Sequence, residues 1–350
     1  MLRRDFLKSA ATIGAVASVL PQTLPAEEKL PASESKLSSP KPQLQFTDNG
    51  TFKIVQITDT HYRTDKDFSK ESIKLIAETI EAEKPQLVIY TGDIVVSVNI
   101  YKGWDDILSP CIESKTAWAV VLGNHDDEAK ITRKQIINHI KNKPFSVTEM
   151  GPDDIGGCGN YVLEIFDKSQ RKFLIYCMDS NAYSTIKNVQ RYGWFKPSQI
   201  AWYKSRSSEY TKNNGNKPLP SLAFFHIPLN EFAEMVHFKN KIIGDRGEAE
   251  CCGAINSGMF LSMVESGGVL GVFVGHDHVN DYVGLRHGVA LGYGRFSGTK
   301  TTYVKEPHGA RVIELNNTDP NSFKTHIRLR TGESIHQTQI PADFQKKKTS

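Results

Sequence analysis

Five short stretches of this 350-residue chain hold side chains suited to metal chemistry. They are Asp59-Thr60-His61, Gly92-Asp93, Gly123-Asn124-His125-Asp126, the single His226, and Gly275-His276-Asp277-His278. Two Asp, one Asn and four His, beside one further His, make a hard-to-borderline set of oxygen and nitrogen donors. Such a set suits divalent Mn, Fe or Zn, and also ferric iron. Seven donors are too many for one tetrahedral site and enough for two metals that share a carboxylate. Two metals about 3.5–4 Å apart can hold a bridging hydroxide and clamp the oxygens of a phosphoryl group. Singly, each stretch says little, because Asp-x-His arises by chance and Gly-Asp is commonly a turn. Their joint placement carries the reading.

That placement is set by the runs that precede them. Phe52–Ile57, Leu87–Tyr90, Ala117–Leu122, Leu222–Phe225 and Val269–Val274 are short, mostly apolar, and bounded by Gly, Asp or His. They read as buried strands. Each runs into one of the five stretches, and loops at the carboxyl ends of such strands converge on one rim. Gly92, Gly123 and Gly275 stand just before the donors, where the backbone must turn sharply. Ile73, Ile76, Ala77 and Ile80 recur at helical spacing between the first two strands. Thr132–Asn142, Ser198–Tyr210 and Asn256–Ser266 are further helix candidates, and Tyr161–Phe166 with Lys172–Met178 reads as a hairpin. Alternating strands and helices predict an α/β layered domain. Asp281–Gly292, Ala310–Leu315 and Thr325–Arg330 read as strands without intervening helices, which predicts a mixed or second sheet.

The composition is that of a globular chain, with 39% hydrophobic and 23% charged residues. Net charge is only +4, and the first residues and Lys346-Lys347-Lys348 carry much of it. Nothing in the charge argues for nucleic-acid binding. Mean hydropathy is −0.39, and no apolar run reaches eighteen residues, so the mature chain is not expected to be an integral membrane protein. The start of the chain, Met1-Leu-Arg-Arg-Asp-Phe-Leu-Lys8, then apolar Ala10–Leu20 and Pro21, reads as a signal peptide over 1–26. Its Arg3-Arg4 followed by Phe6-Leu7-Lys8 resembles a twin-arginine export signal. The twin-arginine machinery is therefore an expected partner, and the expected location is periplasmic or secreted. Residues 27–49 read as a linker, 50–330 as one domain and 331–350 as a polar tail. The five cysteines, Cys111, Cys158, Cys177, Cys251 and Cys252, include no CxxC pair. Their odd number leaves at least one thiol unpaired in the chain.

Asp-x-His, Gly-Asp, Gly-Asn-His-Asp, His and Gly-His-x-His in this order resemble the calcineurin-like metallophosphoesterases, from Phe52 to Leu315. Gly275–Tyr282 and the Gly-Tyr-Gly-Arg295 segment are similar to the purple-acid-phosphatase-like group within them. The resemblance implies a four-layer α/β/β/α sandwich of two mixed sheets. It also implies Asp59, His61, Asp93 and His278 on one metal, and Asp93, Asn124, His226 and His276 on the other. His125 would face the substrate and protonate the leaving group, and Asp126 would orient His125. The implied reaction is hydrolysis of a phosphomonoester by in-line attack of a metal-bridging hydroxide. A phosphodiesterase with the same centre is the nearest alternative, and a non-catalytic metal-binding protein a more distant one. Purple enzymes carry Gly-Asp-x-x-Tyr, whereas this chain has Val96 at that position and Tyr90 and Tyr101 out of register. No tyrosinate ligand is therefore expected.

Substrate contacts are less sharply specified. Arg191, Arg246 and Arg295 are candidates for binding phosphate, because guanidinium pairs with phosphate oxygens through two bonds. Tyr192 and Trp194 are candidates for the cleft wall, and Asn280 and Asp281 for support behind the donors. His139, His237, His287, His308, His326 and His336 follow no comparable strand end and read as structural or solvated.

Overall fold

The computed structural model describes residues 41–304 and 307–345. The expected signal peptide lies outside them. In chain order the strands are β1 (Leu44–Gln45), β2 (Thr51–Ile57), β3 (Leu87–Thr91), β4 (Ala117–Val121), β5 (Tyr161–Asp167), β6 (Gln170–Cys177) and β7 (Ser221–Phe224). β8 (Ile242–Ile243), β9 (Val269–Val274), β10 (Val283–Arg286), β11 (Val289–Tyr293), β12 (Gly309–Asn316), β13 (Phe323–Leu329) and β14 (Ser334–Ile340) follow. The helices are α1 (Lys70–Glu83), α2 (Ile100–Glu113), α3 (Arg133–Ile140), α4 (Pro197–Asn213), α5 (Asn230–His237) and α6 (Met259–Ser266).

These strands make two mixed sheets. One has six strands in the order β14-β13-β12-β2-β3-β4, and the other eight in the order β1-β5-β6-β7-β9-β11-β10-β8. β2, β3 and β4 run parallel, as do β6, β7, β9 and β11. Period-2 alternation splits each central strand between two cores. Phe52, Ile54, Leu87 and Ile89 face Phe173, Ile175, Phe224 and Phe273 of the other sheet. Val55, Ile57, Val88 and Tyr90 face the opposite way, onto Leu75 and Ile76 of α1 and Trp104 and Ile107 of α2. The second sheet buries Tyr176, Ala223 and Val272 under Tyr203, Phe232 and Met263 of α4, α5 and α6. The layers are α/β/β/α, and burial on both faces explains the uninterrupted apolar runs. Each fully buried Phe, Ile or Leu contributes about 1.5–3 kcal/mol.

Several expectations are corrected. The supposed tail contributes β14, whose Ile340 pairs with Phe323 and is buried. The supposed linker contributes β1, with buried Leu44 paired to Ile165. Asp281–Gly292 is a hairpin, because His287 and Gly288 both take positive φ (47° and 83°) and reverse the chain. Helix α2 was not read from sequence, since Gly103 and Pro110 look like breakers. Gly103 fits because a side chain there would strike Val95, while Asn99 caps the first turn by accepting from the Lys102 N–H. All five cysteines are thiols. No helix among the described residues is long and apolar enough to cross a membrane.

Candidate metal centre

The parallel strands end on one rim, and there the chain leaves ordinary backbone geometry. Asp59, His61, Asp93 and His276 have φ of 54°, 43°, 54° and 79°. Such left-handed backbone costs a non-glycine residue about 1–2 kcal/mol, and it clusters where function demands it. Gly92 (φ 87°) completes the turn after β3. At Gly275 any Cβ would strike Thr58 and Asp59, so only glycine lets the two sheets' loops approach.

The rim brings six of the seven expected donors into two groups, with Asn124 on the adjoining loop after β4. Asp59 Oδ1 lies 3.3 Å from His278 Nε2, which is itself 3.3 Å from His61 Nε2. Asp93 Oδ2 lies 3.1 Å from His226 Nε2, and His226 Nε2 is 3.2 Å from His276 Nδ1. Asp59, His61 and His278 form one group and Asp93, His226 and His276 a second, each compact enough to hold an ion. Asp93 joins them, because Oδ2 is also 3.8 Å from His61 Nε2, while Oδ1 accepts from the His125 N–H at 2.8 Å. His226 Nδ1 donates to the Thr91 carbonyl at 2.8 Å, which turns its Nε2 toward Asp93. Asn124 Oδ1 is buried with no hydrogen-bond partner among the described residues. Facing ring nitrogens and an orphaned amide oxygen are what two bound cations would satisfy, so the donor set fits them.

Electrostatics agrees. Burial, then the neighbouring His278, pushes His61 down to about 4, and burial with His226 holds His276 well below its usual value. Both rings are neutral at pH 7 and can bind metal. Burial alone would raise the Asp59 carboxyl, but the His278 hydrogen bond and the His226 charge bring it down to about 2. Burial opposes protonation of His226, yet Asp93 pulls it up to about 9, so a cation would displace that proton.

His125 sits beside the donors with Nε2 4.0 Å from Asp93 Oδ2, and its side chain is one-third exposed. Asp126 does not orient it. Asp126 is buried and accepts from four backbone N–H groups, those of Gly123, Asp93, Ile94 and Val95, at 2.7–3.1 Å. It ties the loop after β4 to the loop after β3 and has no capacity left for a ring. The carboxylate on His125 Nδ1 is Glu128, at 2.9 Å. Reading by sequence missed Glu128, although its i+3 spacing from His125 was a signal. It also missed Arg133, whose guanidinium binds both oxygens of Asp179 and the carbonyls of Leu122 and Gly123.

The arginines expected at substrate are elsewhere engaged or peripheral. Arg246 makes two bonds to Glu250, four residues on. Arg295 is buried, with Nη1 2.7 Å from Asp281 Oδ2 and the Pro307 carbonyl accepting its other donors. Arg191 is exposed in the loop after β6, with φ 83°. Asp245, Asp281 and His336 also converge, but Arg295 Nη1 already pairs with this cluster, 2.7 Å from Asp281 Oδ2 and 3.6 Å from Asp245 Oδ2. Tyr192 does line the centre, its ring edge-on to His276 at 4.2 Å, and Tyr303 stacks on His278 at 5.1 Å. Trp194 lies instead under the Lys196 ammonium. Asn280 accepts from the Gly247 and Glu248 N–H groups and so fastens the neighbouring loop.

Residues 52–280 match the family described as calcineurin-like phosphoesterase. "Probable inactive purple acid phosphatase 29" of Arabidopsis thaliana is 35% identical over 285 residues, covering 72% of this chain and 73% of that one. "Phosphatase DCR2" of Saccharomyces cerevisiae is 33% identical over 270 residues, covering 69% of this chain and 46% of that one. A dimetal phosphatase from Danio rerio superposes with a TM-score of 0.57 at 16% identity, covering 83% of this chain and 98% of its own. The purple acid phosphatase of yellow lupin gives 0.53 at 10% identity, covering 83% of this chain and 53% of its own. Both likenesses are of fold.

Proposed function

Because the chain belongs to the calcineurin-like phosphoesterase family, we propose that it hydrolyses phosphomonoesters at the centre around Asp93. The observation that carries this reading is the position of Asp93 Oδ2. It stands 3.1 Å from His226, 3.8 Å from His61 and 4.0 Å from His125. One carboxylate oxygen thus faces both donor groups and a proton donor at once. Asp59, His61, Asp93 and His278 would hold one cation, and Asp93, Asn124, His226 and His276 the other. Manganese, iron or zinc suits these donors. Bound there, the two ions supply Lewis acidity and a lowered water pKa.

The chain's own residues do the rest. Asp126 and Gly92 fix the turn that aims Asp93. The Thr91 carbonyl holds the His226 tautomer. Burial opposes charge on His125, but Glu128 and Asp93 pull it up to about 9 in the metal-free chain, so its surroundings favour a ring that can give a proton. His125 Nε2 gives that proton to the leaving oxygen of the ester. With Val96 where purple enzymes have tyrosine, the protein is expected to lack their colour.

The test is turnover of 4-nitrophenyl phosphate and bis(4-nitrophenyl) phosphate by the mature chain, metal-free and after loading with Mn, Zn or Fe. Metal-dependent turnover that is lost in Asp93→Asn supports the reading, and the preferred ester separates monoesterase from diesterase. A second reading, a metal-binding protein without turnover, draws on the word "inactive" in the names of three curated relatives. His125→Ala separates the two: an enzyme loses activity and keeps its metals, whereas a binding protein is unaffected. Export by the twin-arginine route rests on Arg3-Arg4 and the apolar run behind them. Replacing both arginines by lysine should leave the chain in the cytoplasm.

A further inference from the structure

Asn124, His125, Glu128 and Tyr183 form a closed hydrogen-bonded loop at the edge of the centre. Asn124 Nδ2 donates to the Tyr183 hydroxyl at 3.2 Å. That hydroxyl donates to Glu128 Oε1 at 3.0 Å. His125 Nδ1 meets the other oxygen, Oε2, at 2.9 Å. The loop closes through the peptide between Asn124 and His125. Its two inward-facing atoms are Asn124 Oδ1, a donor to metal, and His125 Nε2.

We propose that Glu128 is the positioning residue for His125, and that Tyr183 sets Glu128 in place. This rests on the phosphoesterase reading above and gives a role in it to residues the family resemblance did not assign. A carboxylate on Nδ1 keeps a proton on that nitrogen in both charge states of the ring. Proton exchange is then confined to Nε2, the atom that faces Asp93. When the leaving oxygen separates from phosphorus, the Nε2–H bond breaks, the new O–H bond forms, and the ring stays bonded to Glu128 through Nδ1–H. Asp126 cannot do this, because its oxygens accept from four backbone N–H groups. Glu128 and Tyr183 are each about half exposed, so the pair adds little stability and acts through geometry. Tyr183 also couples the proton donor to a metal donor, since one hydroxyl orients both the Glu128 carboxylate and the Asn124 amide.

Two measurements test the proposal on wild type, Glu128→Gln and Tyr183→Phe. The first needs no metal: the Nδ1–H resonance of His125 in the metal-free, nitrogen-labelled protein. A charged acceptor shifts it downfield, so it should move upfield in Glu128→Gln and part of the way in Tyr183→Phe. The second is the dependence of kcat on leaving-group pKa in the metal-loaded protein. Protonation matters most for poor leaving groups. Glu128→Gln should lose about 10- to 100-fold on an alkyl phosphate and under about threefold on 4-nitrophenyl phosphate, with metal content unchanged. An unmoved resonance, or an equal loss on both esters, overturns the role of Glu128 and leaves the enzyme reading intact. No turnover by wild type on any ester, with two metals bound, overturns the phosphoesterase reading and this role with it.

Discussion

Replacing Arg133 by methionine removes the clamp behind the loop that carries Asn124 and His125. Its Nε and Nη2 sit 2.8 Å and 2.7 Å from the two oxygens of Asp179, and Nη1 and Nη2 bind the carbonyls of Gly123 and Leu122 at 2.9 Å and 3.1 Å. The Asp179 side chain is fully buried and also accepts from the Cys158 and Asn181 N–H groups. Breaking a buried pair by removing one partner costs about 3–5 kcal/mol, because the other charge is left without compensation. The two N–H bonds that Asp179 keeps place the expectation at the lower end, about 3 kcal/mol. At about 2.1 cal/mol/K of unfolding entropy per residue over roughly 300 residues, that lowers Tm by about 5 °C. Urea unfolding and calorimetry of Arg133→Met read the cost. Adding Asp179→Asn removes the stranded charge but keeps an acceptor for only one of the two N–H groups, because Cys158 and Asn181 bond different oxygens, so the double variant should regain part of the loss, less than half. Freed from Arg133, the Gly123 carbonyl no longer fixes the turn before Asn124, and metal affinity should fall about tenfold. A cost below about 1 kcal/mol, or a double variant no better than the single, would refute the reasoning.

Asp126→Asn places an amide NH2 against backbone N–H donors, and each acceptor bond lost inside costs about 1–3 kcal/mol. The variant should unfold at lower denaturant and lose both metals and activity, as metal analysis and unfolding curves would show. Glu83 is drawn from 4.5 to about 2, chiefly by His326, against the opposing effect of burial, and then by Lys53. Its contribution to stability is therefore complete above pH 4.5 and fades as pH falls toward 2. The stability gap between wild type and Glu83→Gln should be constant from pH 7 to pH 5 and close below pH 4.5. Removing metal with a chelator should lower Tm, and re-adding it at about 100 times its Kd should restore roughly 2.7 kcal/mol. Arg246→Ala should leave KM for a simple phosphate ester unchanged, since Glu250 already occupies that guanidinium; a large rise in KM would return Arg246 to the substrate site.

The site was legible because its donors follow strand ends, and buried parallel strands announce themselves as apolar runs that stop at Gly, Asp or His. Helix α1 was legible for a similar local reason, the spacing of Ile73, Ile76 and Ile80. The roles of the carboxylates were harder. Asp126 looked like a partner for its neighbour His125, but three of the four N–H groups that fill its acceptors lie 31 to 33 residues away, and no local pattern encodes that distance. Arg295 was misread in the same way, because its Asp281 partner reaches it only through the β10–β11 hairpin. The pairing of Arg246 with Glu250, by contrast, was open to a reading at i+4 spacing.

What sequence could not show at all is the backbone cost of the centre. Asp59, His61, Asp93 and His276 all take the left-handed conformation that favours glycine. A chain selected only for stability would put glycine or asparagine there. The presence of ligand-type residues at strained positions means that their side chains are required at those points, and the strain must be offset nearby. The four N–H bonds to Asp126, the Arg133–Asp179 clamp and the absence of a side chain at Gly275 are where the structure offsets it. The supports around the donors are therefore as much a part of the site as the donors, and variants of Asp126 or Arg133 should lose metal before they lose the sheets.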